Sequence, residues 1–138
     1  TDAKTYLQSG NAVVDAEPDG LAERVEQALP LPVRVLVRTA DELAAVVAAN
    51  PFPELVTEPK RLHVAFLSEP PDPERLAALG TDHGDDRLAA GRRELYLAYA
   101  GGSHASPLTG ALLEKRLGLV ASARNWTTVT RLAELARP

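Results

Sequence analysis

Hydrophobic and polar positions follow two periods along this chain, and the switches between them mark its elements. Residues 5–15 (TYLQSGNAVVD) read as strand, turn and strand, because Ser9, Gly10 and Asn11 suit a tight reversal. Leu21, Val25, Ala28 and Leu29 recur at i, i+4, i+7 and i+8, one face of a helix that Pro30 and Pro32 stop. Period two returns in VRVLVR, where Val33, Val35 and Val37 share one face and Arg34, Leu36 and Arg38 the other, which predicts a half-buried strand. Thr39 and Glu42 have capping-box spacing and open an Ala-rich helix bearing Leu43, Val46 and Val47, ended by Asn50-Pro51.

RLHVAFL, at 61–67, is the most apolar strand, and Asp72 followed by Pro73 is a helix start. Residues 80–86 are loop, and the runs DRLAA and ELYLAY flank Gly91-Arg92-Arg93 as a hairpin. Pro107 begins a helix with Leu108, Leu112 and Leu113 that stops at Gly118, with Ser106 as its expected cap. Trp126, Val129, Leu132, Ala133 and Ala136 have helical spacing. The order β-β-α-β-α-β-α-β-β-α-α predicts an α+β fold with a mixed sheet, β-α-β units, two hairpins and two small lobes, 1–70 and 71–138. Leu62, Val64, Phe66, Leu95, Leu97, Val33, Val35 and Val37 are the expected strand core. Leu43, Val47, Leu112, Val129 and Leu132 are the expected helical cover.

Composition narrows the chemistry. The 138 residues contain no cysteine, which excludes disulfides, thiol catalysis, Fe–S clusters and cysteine-bound zinc. No apolar run reaches the ~18 residues of a membrane helix, so no membrane partner is expected and the cytoplasm is the expected compartment. The net charge of −4 divides unevenly: residues 1–86 hold seven cations against 16 acids, and residues 87–138 hold eight against three. The basic half implies attraction between two lobes or an anion-facing surface, while the overall negative charge gives no strong nucleic-acid signal.

No constellation has a catalytic spacing. His63, His83 and His104 lack an i, i+4 pair, so neither a metal nor another cofactor is expected, and no catalytic residue is assigned. His63 reads as a partly exposed strand residue, and Asp82, Asp85 and Asp86 as a solvated acidic loop. GGSHA at 101–105 lacks the last glycine of a nucleophile elbow. Arg124-Asn125-Trp126 is the most unusual cluster. It reads either as a grip on an anion or aromatic ligand, with a guanidinium fork and a stacking ring, or as a helix cap, a core ring and an ion-paired arginine. With His104, Lys115 and Arg116 it makes up the candidate ligand-binding set. A small anionic molecule or a protein partner would use this basic half, a nucleic-acid or protein interaction module being the second reading. Convergence of Arg124, Asn125 and His104 after Ser106 is the one arrangement that would favour phosphate chemistry; otherwise this chain is not expected to be an enzyme.

Three segments together resemble one bacterial family: TYLQSGNAVVD at 5–15, the helix running into NPFPE at 50–54, and LLEKRLGLVASARNWTTVTRLAEL at 112–135. In this order they are similar to domain of unknown function 1697. The resemblance implies a compact α+β fold of two similar lobes and carries no particular activity with it. It also implies a strand ending like LLRGINVGG and a helix ahead of the TYLQSGN segment. Because they are missing here and the chain has no methionine, the natural protein is expected to extend further at its N-terminus. An exposed sheet edge or groove is expected where they belong.

Overall fold

Strand β3 (Leu62–Leu67) has no polar alternation beyond His63, and the reason is burial on both faces. The computed structural model describes residues 3–5, 11–15, 17–30, 34–79, 85–102 and 106–137. The chain divides into two compact units, Ala49–Thr127 and Thr1–Ala48 with Thr128–Pro138.

The unit of residues 49–127 is built on β3, α3 (Pro73–Ala78), β4 (Arg87–Ala90), β5 (Glu94–Ala98), α4 (Gly110–Leu117) and β6 (Ala121–Asn125). Strand order is β4-β5-β3-β6, and every neighbouring pair is antiparallel. The expected mixed sheet is therefore corrected. Each β-α-β passage joins two strands that are parallel but not adjacent, and an antiparallel strand fills the gap: β5 lies between β3 and β4, and β3 between β5 and β6. This is the split β-α-β arrangement of ferredoxin-like folds. On the helix-covered face, Ala65, Leu67, Leu95 and Leu97 pack with Leu79, Leu108, Leu113 and Leu117. On the opposite face Leu62, Val64, Phe66, Tyr96 and Ala98 are buried as well, so the expected sheet core is borne out for β3 and β5.

Strand β6 was absent from the sequence expectation, which ran helix into helix. Its residues, ASARN, include no β-branched or large apolar side chain, and pairing with β3 is what makes it a strand. Helix α4 begins three residues after Pro107. Thr109, not Ser106, is its N-cap: the Thr109 hydroxyl accepts the Leu112 amide at 3.2 Å, and Ser106 Oγ accepts the Leu108 amide at 3.0 Å. Gly118 ends the helix at φ 68°, the left-handed conformation that favours glycine. Asp72 caps α3 as expected, taking the Glu74 amide at 2.9 Å. Helix α5 (Trp126–Ala136) follows β6 without a linker and runs from this unit into the other.

In the other unit β1 (Ala3–Thr5) pairs antiparallel with β2 (Ala12–Val14): the second strand of the expected 5–15 hairpin is present, the first starts earlier and overlaps the expectation only at Thr5, and Ser9 and Gly10 lie outside the described residues. Helix α1 (Leu21–Ala28) buries none of its residues, and Val25 and Leu29 are exposed despite their apolar spacing. Residues 34–38 are not a strand, which corrects the VRVLVR expectation; Val33 lies outside the described residues. Side chains replace the ladder there: the Val35 amide donates to the Glu26 carboxylate at 2.6 Å, which also pairs with Arg34, and Arg38 donates to the Val37 carbonyl. Val35 and Val37 are consequently only half-buried. The capping box of α2 (Ala40–Ala48) forms in both directions, Thr39 amide to Glu42 carboxylate at 2.8 Å and Glu42 amide to Thr39 hydroxyl at 3.1 Å. Leu43 and Val129 are buried, while Val47, Leu112 and Leu132 are half-buried. No described helix is long and apolar enough to cross a membrane.

Candidate functional site

The candidate residues fall at two ends of one sheet. β6 runs from Ala121, opposite Leu67, to Asn125, opposite His63, a span of roughly 13 Å at ~3.3 Å per residue. Arg124, Asn125 and Trp126 stand at the end where β3 begins. Lys115 and Arg116 stand in the last turn of α4, which leads by way of Gly118 to the end where β3 leaves. His104 lies outside the described residues, as do Asp82, His83 and Ser103, so the phosphate arrangement that involves His104 is also outside them.

Adjacent strand residues point to opposite faces, and this separates Arg124 from Asn125. Asn125 is opposite His63 and shares the helix-covered face with Leu97. Arg124 is opposite Val64 on the other face, half-buried, where its Nη1 donates to Ser122 Oγ at 2.8 Å and to the Ala123 carbonyl at 2.9 Å. Burial lowers the guanidinium pKa below its ordinary value. Trp126 is 6% exposed, which leaves little of the ring to stack on a ligand.

Beside Asn125, the His63 imidazole meets the Tyr99 ring edge to face, with centroids 5.0 Å apart at 75°. His63 Nδ1 is buried and has no hydrogen-bond partner among the described residues, and desolvation lowers the pKa of the ring. Tyr99 is firmly held. Its phenol donates to the Leu108 carbonyl at 2.9 Å, its amide to the Arg61 carbonyl at 2.8 Å, and its carbonyl accepts Arg61 Nε at 3.0 Å. Burial first, then the Asp86 carboxylate, pushes the phenol pKa up to about 12. Asp86 itself accepts the Ala100 amide at 2.8 Å, so this part of the acidic loop has a structural task.

At the opposite end the Arg75 guanidinium meets the Gly118 turn, and Lys115 and Arg116 precede that turn on the last turn of α4. A Cβ placed on Gly118 would lie 2.6 Å from Arg75 Nη1, so the Arg75 guanidinium rests against the turn that follows Lys115 and Arg116. All three side chains are exposed, and among the described residues none makes an ion pair. Glu74 and Glu114 are their chain neighbours, yet neither pairs with them. The carboxyl end of α4 carries partial negative charge that offsets part of the repulsion. Arg75 was not a candidate from the sequence, since a lone arginine in the first turn of a short helix has no signature. The signal available was Gly118 itself, a helix-stopping glycine beside two cations. Among the described residues no group of three His, Asp or Glu side chains could hold a metal ion.

The sequence model of the family described as "Protein of unknown function (DUF1697)" matches residues 1–96. No curated protein and no solved structure matches the chain.

Proposed function

From the premise that the chain belongs to the DUF1697 family of proteins of unknown function, we propose that it is a binding domain for a small anionic ligand held at the Gly118 turn by Arg75, Lys115 and Arg116. One observation carries this reading: an exposed arginine rests against the turn that directly follows two exposed cations, and among the described residues none of the three makes an ion pair. A phosphate-bearing ligand would supply the missing charge, with the Arg75 fork giving paired hydrogen bonds and Lys115 a point charge. In the same reading Arg124, Asn125 and Trp126 join β6 to α5, because the first two face opposite ways and the third is buried. With no cysteine in the sequence, and no helix among the described residues long and apolar enough to cross a membrane, the reading places its work in the bacterial cytoplasm.

Thermal unfolding with inorganic pyrophosphate tests the site. Ligand at about 100 times its Kd adds about 2.7 kcal/mol to stability, so Tm should rise with concentration in the wild type. The rise should vanish in Arg75→Ala and in Lys115→Ala/Arg116→Ala, and persist in Arg124→Gln. Equal shifts in the wild type and both alanine variants, or loss only in Arg124→Gln, would overturn the assignment.

A further inference from the structure

We infer that protonation of His63 releases the N-terminal end of α4 from the sheet, which makes this unit acid-sensitive through a single side chain. The neutral ring fits its place: it lies between Leu97 and Asn125 on the helix-covered face, against Tyr99, with Nδ1 shut off from solvent and without a hydrogen-bond partner among the described residues. An imidazolium carries N–H on both nitrogens. Taking a proton from solvent would therefore leave a buried donor without an acceptor, or add charge beside an apolar layer, and either costs free energy.

Among the described residues no carboxylate forms an ion pair with the ring. Just ahead of β3, Arg61 is itself a cation and is paired with Glu58. Just after β5, Tyr99 stays neutral up to about 12. On β6, Asn125 is uncharged and Arg124 faces the other way. Just ahead of β4, the Asp86 carboxylate is bonded to the Ala100 amide and acts on the Tyr99 phenol, while the shift of the His63 ring has desolvation as its one cause; Arg87, the first residue of β4, is paired with Glu54. Residues 106–113 contain no charged side chain. Relief must come from movement of the ring, and its contact is Tyr99, whose phenol is the bond to Leu108 just ahead of the Thr109 cap. Losing that bond frees the start of α4.

Hydrogen exchange between pH 7.5 and 5 on the whole chain, read as protection of the Leu112 and Leu113 amides, tests this. In the wild type, protection should fall by up to about tenfold per pH unit, the limit for one proton, once the pH is below the ordinary imidazole range. His83→Gln/His104→Gln should behave like the wild type, and His63→Gln should show no pH dependence. Tyr99→Phe should give low protection at every pH, which covers the case in which His63→Gln does not fold. A full pH response in His63→Gln or in Tyr99→Phe, or a flat profile in the wild type, would overturn the proposal.

Discussion

At Gly118 one residue ends a helix, turns the chain at φ 68° and leaves room for Arg75. An alanine there would have to adopt the left-handed conformation, which costs about 1–2 kcal/mol, and would displace the Arg75 head group. The displacement adds little, because the contacting atom is the free end of a flexible side chain. Gly110 differs: a Cβ there meets nothing within 4 Å, and the residue is helical. Gly118→Ala should therefore lower unfolding free energy by about 1–2 kcal/mol, while Gly110→Ala should be neutral or stabilise by up to about 1 kcal/mol. Urea unfolding of both variants checks the contrast, and equal effects would contradict it.

Helix starts show which local signals survive folding. Thr109→Ala should cost about 1 kcal/mol through loss of the cap on Leu112, and Thr39→Ala a similar amount through half of its capping box. The bonds are local and share no residue, so the double variant should lose the sum, measurable by denaturant unfolding. Capping at Thr39 and Asp72 was legible because a hydroxyl or carboxylate two or three residues before a free amide is complete information. Strand identity was less legible. VRVLVR alternates well, but a strand exists only with a partner, and Glu26 takes the Val35 amide instead. ASARN reads as nothing in particular and becomes β6 because β3 lies alongside. The candidate site suffered likewise. Neighbours in sequence, Arg124 and Asn125, were separated by the pleat, while Arg75 and Gly118 were brought together across 43 positions that no motif spans.

Across the whole molecule, pH reaches stability through His63. Its pKa in the fold lies below the ordinary value because burial disfavours the charged form. Between the folded and unfolded pKa values, the second about 6.5, the unfolded chain binds more protons, so stability falls as pH drops through that window and levels off above about 7. Urea unfolding from pH 8 to 5 should show this slope, and His63→Gln should remove the part due to this ring. A slope unchanged in the variant would assign the effect to other groups. The placement of β3 between β5 and β6 also bears on how the chain is made. The most apolar segment leaves the ribosome before its β6 partner, which follows roughly sixty residues later. At ~5–20 residues per second, one side of β3 waits several seconds for its ladder. During that interval an open apolar strand can pair with another nascent chain, which makes synthesis, not the finished fold, the stage at which this protein is prone to aggregate. Slowing translation after residue 67 should lower soluble yield, and chaperones that bind extended apolar segments should restore it.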